Sequence, residues 1–416
     1  MSTPTHPHAV DPAHHLRELE GLRALAALAV LLTHVGFLSG ATGRDVLPGF
    51  LARLDLGVAV FFVLSGFLLY LPHARHVAGG PPPAPLRTYA VRRAARLLPA
   101  WVLVLGGTIV LVPESRRAGV GPWLANLLQL QSLRLDWDLP GLAQLWSLST
   151  EVLFYLALPV LALLVGRTAS GRGPRAHLAA LAGLTLGALA FRVLFAVGAL
   201  PSGWSWNRSL PATLDWFVGG MVLAVVVADR RLTGPVTAVV RAAPWHLYGL
   251  AACVFWLLTT RTAGPYDLTP PDGWAADVKH IGYGLVAVLV VAPSVLGAST
   301  VVSRVLRSRV LTFLGTISYG IFLWHLPLMF WVRQMLGLDI FEWGFWSTTV
   351  LTFVASVVLA SLSWFVVEGP VQAWARRVTA SRPPGTEHHG ADEGEGEHRR
   401  DDVAVAGERV RPRPEG

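Results

Sequence analysis

Apolar residues run in blocks of about 20 along most of the chain, each broken by Arg, Pro or Gly. A helix rising about 1.5 Å per residue crosses a hydrocarbon core of about 30 Å in about 20 residues, so every block is long enough to span a bilayer. Ten blocks predict helices near 21–39, 56–72, 97–113, 146–166, 177–199, 211–228, 244–260, 280–297, 311–332 and 345–367. The predicted fold class is an all-α polytopic membrane protein, a bundle of about ten transmembrane helices. The first block lacks a convincing small-residue cleavage site and nine more follow it, so it reads as a span and not as a signal peptide.

The ends of the chain break this pattern. Residues 1–16 show no apolar period and carry His6, His8, His14 and His15, and residues 378–416 mix Gly, Pro, Glu, Asp and Arg with no face to bury. Both are expected to be disordered and to flank a membrane domain over 17–377. Loops after the second, fourth, sixth and eighth blocks hold about 14 Lys and Arg and the alternate loops about 9, which puts the first set, and with it both termini, in the cytoplasm. The expected location is the cell membrane.

Composition narrows the function classes. With 53% hydrophobic and 14% charged residues, the 416-residue chain is no soluble enzyme. Its net charge of +8 is carried by arginines between apolar blocks, which is membrane topology and not a nucleic-acid patch. The one lysine is Lys279, and the one cysteine, Cys253, excludes an intramolecular disulfide and a cysteine-based metal site. No metal and no bound cofactor is expected; oligomeric state is not legible.

Ionisable groups inside hydrocarbon cost several kcal/mol or more and are functional candidates for that reason. In GLRALAALAVLLTH, Arg23 and His34 stand eleven residues apart, hence on one helix face and about 16 Å apart along the axis. An arginine at the mouth suits a phosphate and a deep imidazole suits proton transfer. A snorkelling Arg23 and a hydrogen-bonding interhelical His34 are the competing structural readings. In DLGVAVFFVLSGFLL the small residues favour close packing, and Ser65 is a nucleophile only if a base lies beside it. Arg87, Arg92, Arg93 and Arg96 cluster after that block, as a solvated charge run or as a polyphosphate site. In WSLSTEVLFYLALP, Ser147, Glu151 and Tyr155 share a face at i, i+4, i+8. Glu151 has three readings: orienting a histidine, binding a substrate hydroxyl, or pairing with a buried arginine such as Arg192. ISYGIFLWHLPL adds His325 beside Trp324, and Asp215 and Glu368 complete the set.

These segments, in unbroken order with RRAARLLPAW and a final VEGP over about residues 17–377, resemble the membrane-bound acyltransferase-3 family. The resemblance implies a ten-helix O-acyltransferase that takes an acyl group, acetyl by default, from cytoplasmic acyl-CoA as co-substrate and passes it to a hydroxyl, often on a sugar. It puts the catalytic role on His34, the family's paired arginine on Arg23, and the donor phosphates at Arg92, Arg93 and Arg96. Several members add an extracytoplasmic hydrolase-like domain, whereas a short tail is expected here.

The span from Arg23 to His34 is comparable to an extended pantetheine arm, so phosphates held at the mouth would leave a thioester near the imidazole. The expected mechanism has His34 as general base on the acceptor hydroxyl, its ring oriented by Glu151, with an acyl-His34 intermediate as the variant. Ser65, Ser147, Tyr155, Trp324 and His325 are expected to line the site. A cell-surface glycan and a glycosylated natural product such as a macrolide both fit as acceptor. The rival readings are a multi-pass transporter or flippase, which needs no acyl donor, and a membrane scaffold, which has no use for buried histidines.

Overall fold

The computed structural model describes residues 12–44, 48–267, 269, 271, 273–337 and 344–380, and among them every regular element is helical. The principal helices are α1 (Pro12–Ser39), α2 (Gly57–Val77), α3 (Leu86–Leu111), α4 (Trp146–Ala169), α5 (Pro174–Ala196) and α6 (Leu210–Ala228). After them come α7 (Arg230–Ala242), α8 (Pro244–Leu258), α9 (Gly273–Val295), α10 (Arg309–Thr316), α11 (Ser318–Leu336), α12 (Phe345–Ser363) and α13 (Gly369–Val378). Helix α1 begins at Pro12, ahead of the expected boundary at residue 17. The expectations for residues 1–11, with His6 and His8, and for 381–416 lie outside the described residues.

Among the described residues, eight segments are long and apolar enough to cross a membrane, and two bent pairs raise the number to ten if each counts as one span. The pairs are α7 with α8, bent by 75°, and α10 with α11, bent by 70°. The expected straight span near 244–260 is therefore the longer arm of a broken one, and that near 311–332 runs across the break at Ile317. At the first break Pro244 lacks an N–H and opens a new helix, while the Asp229 side chain caps α7 by accepting from the Arg231 amide at 2.8 Å.

Glycines set how closely the helices approach. A Cβ on Gly66 of α2 would collide with the Phe217 carbonyl of α6, and one on Gly220 would collide with the Val63 carbonyl. The two backbones meet there as they do at other small-residue membrane crossings. Phe62, Phe154 and Phe217 stack beside the crossing, with ring centroids 4.3 and 4.1 Å apart. Gly66→Ala is expected to force this contact open at about 1–3 kcal/mol, read as a lower unfolding midpoint in detergent. An unchanged midpoint would show that the crossing yields.

Two further contacts place the candidate residues of α1. Gly315 of α10 packs on the Glu20 backbone, and Gly57, the first residue of α2, packs on the Ala26 carbonyl and on Val30. Helix α2 thus starts halfway along α1, and the turn before it, Leu54–Leu56, is half-buried. On the other side of α1, Ala27, Leu31 and Val35 pack with Ile321 and Met329 of α11 and Ala360 of α12.

Candidate active site

His34 and His325 meet in the middle of the bundle. Their ring centroids are 5.1 Å apart, and His325 Nε2 lies 3.3 Å from His34 Nδ1. His34 Nδ1 is also 2.8 Å from the Val30 carbonyl, and His325 Nδ1 is 3.3 Å from the Ile321 carbonyl. A carbonyl only accepts, so each Nδ1 carries the proton and each Nε2 the lone pair. His325 Nε2 then shares the His34 Nδ1–H with Val30, and His34 Nε2 keeps a lone pair for an incoming proton.

Seven of the residues expected at the site, Arg23, Arg93, Arg96, Ser65, Ser147, Glu151 and Tyr155, line one cavity. Tyr319, Phe61, Phe62 and Phe322 line it with them. Arg23 Nη1 contacts both Glu20 carboxylate oxygens at 3.2 Å, and the Arg93 guanidinium lies 5.6 Å from the Tyr155 ring centre. Glu151 Oε1 accepts from Ser65 Oγ at 2.5 Å and from Tyr155 Oη at 2.6 Å. The face shared by Ser147, Glu151 and Tyr155 therefore points into the cavity.

Four expectations are corrected by this geometry. Glu151 does not orient His34, since its bonds go to Ser65 and Tyr155 and the His34 ring is held by Val30 and His325. Nor does it pair with Arg192, which binds Asp277 at 2.9 Å. Arg92 turns away from Arg93 and Arg96, with its Nε 2.9 Å from Thr379 Oγ1. Trp324, like His325, is outside the cavity lining: the six-membered ring of Trp324 fills the space left by Gly107 of α3, and among the described residues its buried indole N–H has no partner. Ser65 does have a base beside it, Glu151 and not a histidine. Asp215 bonds His280 at 2.9 Å, and Glu368 accepts from Ser363 at 2.7 Å.

Sequence reasoning missed a second polar group. Asp55, in the turn before α2, accepts from Lys279 Nζ at 2.8 Å and from the Tyr283 hydroxyl. A lysine standing alone among arginines was the available signal. In the loop before α4, burial pushes the Asp138 carboxyl up against the opposing pull of Arg208, 2.7 Å away. Among the described residues no three His, Cys, Asp or Glu side chains lie close enough together to hold a metal ion.

Comparison with known proteins finds relatives of this chain. The family model described as "Acyltransferase domain" (Acyl_transf_3) matches residues 16–365. The chain is 28% identical over 377 residues to the peptidoglycan O-acetyltransferase OatA of Listeria monocytogenes, covering 86% of this chain and 56% of that relative. It is 26% identical over 392 residues to the acyltransferase MdmB of Streptomyces mycarofaciens, covering 88% of this chain and 95% of that one. The chain thus spans little more than half the length of the Listeria relative. No solved structure matches it significantly.

Proposed function

The chain belongs to the acyltransferase-3 family, and from that membership we propose that it is an integral-membrane O-acyltransferase that moves an acyl group from acyl-CoA to a hydroxyl of a sugar-containing acceptor. The observation that carries this reading is a cavity lined by three arginines and by Phe322, whose ring centre is 5.8 Å from that of His325. Arginine forks suit the phosphates of CoA, and the depth of His34 suits a reacting group delivered on a long arm. The arginine end is assigned to the cytoplasm of a cell-membrane protein with both termini on that side, in keeping with the loop charges.

In this mechanism the donor phosphates sit at Arg23, Arg93 and Arg96. The lone pair on His34 Nε2 takes the acceptor proton as the oxygen attacks the thioester carbonyl, and the C–S bond breaks to release CoA. Val30 and His325 hold the tautomer that leaves this nitrogen free. Glu151 keeps Ser65 and Tyr155 in one arrangement along the path of the arm. The similarity to a peptidoglycan O-acetyltransferase supports a glycan hydroxyl as acceptor and acetyl as the acyl group.

The test is release of free CoA from acetyl-CoA by membranes holding the protein, with peptidoglycan fragments or glycosylated small molecules supplied. Acceptor-dependent release supports the reading. No release with any donor or acceptor, from inserted and folded protein, would overturn it in favour of a transporter. Arg96→Gln is expected to raise the KM for acetyl-CoA about 10-fold, the loss of one charged phosphate contact, with a smaller change in kcat. An unchanged KM would remove Arg96 from the donor site.

A further inference from the structure

The donor cavity stops short of the histidines. Neither His34 nor His325 lines it, whereas Phe61 and Phe322 do. Phe61 of α2 and Phe322 of α11 meet edge to face, with centroids 6.0 Å apart and planes at 69°. The His325 ring centre is 5.8 Å from that of Phe322, and His34 follows at 5.1 Å from His325. One layer of aromatic side chain therefore separates the space where a thioester would arrive from the base that would act on its acceptor.

We propose that the Phe61–Phe322 pair is the stop that sets acyl-chain length and keeps water from the thioester; the inference rests on the acyl-CoA reading above. A pantetheine arm entering past the arginines points its acyl group at this pair. A two-carbon acyl group ends against the rings, whereas a longer chain must displace them. The same rings shield the carbonyl from water on the histidine side. Phe322 is buried, Phe61 is partly exposed, and Phe61 packs against the apolar clusters on both sides of α1. Phe61 is therefore the leaf with room to turn, and an edge-to-face pair can part and re-form without breaking a hydrogen bond.

The reaction the pair suppresses is hydrolysis. Water adds through its oxygen to the thioester carbonyl, the C–S bond breaks, and the water protons end on the thiol and the carboxylic acid, giving free CoA and free acid. Removing a ring opens the way for this water and for extra methylene groups. Because the expected effect is a gain of reaction, partial misfolding does not mimic it.

Acceptor-free CoA release from acetyl-, butyryl- and octanoyl-CoA is compared in membranes with wild-type protein, Phe61→Ala and Phe322→Leu. Phe61→Ala is expected to raise acceptor-free release at least three-fold and to shift preference toward butyryl- and octanoyl-CoA. Phe322→Leu, which keeps most of the buried volume, is expected to move both readouts in the same direction by less. Unchanged acceptor-free release and an unchanged chain-length profile in both variants would overturn the proposal, and so would a uniform fall for every donor. If wild-type protein releases no CoA from any donor even with acceptors present, the acyltransferase reading itself fails and this inference falls with it.

Discussion

His34→Ala is expected to lower acyl transfer by about 10²–10⁴-fold, the usual contribution of a positioned general base, while the protein remains inserted and folded. The geometry argues for so large an effect on two counts. His34 Nδ1–H is committed to the Val30 carbonyl at 2.8 Å, which leaves Nε2 as the basic nitrogen. The next imidazole, His325, has its own Nδ1 turned to Ile321 and its Nε2 toward His34, so it is badly placed to substitute. The measurement is acceptor-dependent CoA release in matched membranes. Full activity in the variant would exclude both direct base catalysis and an acyl-His34 intermediate. In the wild type, a pre-steady-state burst of CoA would favour the intermediate and a linear onset direct attack.

Arg53→Leu is expected to abolish stable folding. This guanidinium is 2% exposed and donates to three carbonyls: Leu258 at 2.9 Å, Pro265 at 2.9 Å and Gly264 at 2.6 Å. Hydrogen bonds to a charged group contribute about 1.5–3 kcal/mol each, so three of them amount to roughly 5–9 kcal/mol against a net stability of about 5–15 kcal/mol. The carbonyls left behind belong to the end of α8 and the turn after it, where no helix bond can replace the lost donors. Arg53 also anchors the turn that carries Asp55, which binds Lys279 and Tyr283. Size-exclusion chromatography and thermal unfolding in detergent report the outcome; a monodisperse variant with a wild-type midpoint would refute it.

The spans were legible because burying a backbone in hydrocarbon demands about 20 apolar residues, and that demand is written locally. The bends were not: Ala243 and Ile317 each separate two helices by one apolar residue, which leaves hydropathy unchanged while the helix is redirected by 70° or more. The shared face of Ser147, Glu151 and Tyr155 was also legible, since helical spacing alone decides it. The partner of each group was not, because partnership depends on which faces of distant helices meet. Glu151 was open to a histidine or to Arg192 and found Ser65, while His34 found His325, 291 residues away. Arg53 was invisible for a different reason. An arginine at the end of a span ordinarily reaches for lipid headgroups, and only the fold of α8 behind it turns it inward.

Under the proposed acyl-CoA reading, the lysine count of the chain matters. Thioesters modify stray amines without enzymatic help, and a protein that holds them at high local concentration is exposed to its own substrate. This chain has a single lysine, Lys279, whose Nζ is held 2.8 Å from Asp55 and lies over the Tyr283 ring. Its side chain is engaged there and not along the arginine-lined cavity. The guanidinium groups that would meet the donor phosphates stay protonated and are poor nucleophiles, so the arginine-rich cavity can bring an electrophile close without being consumed by it.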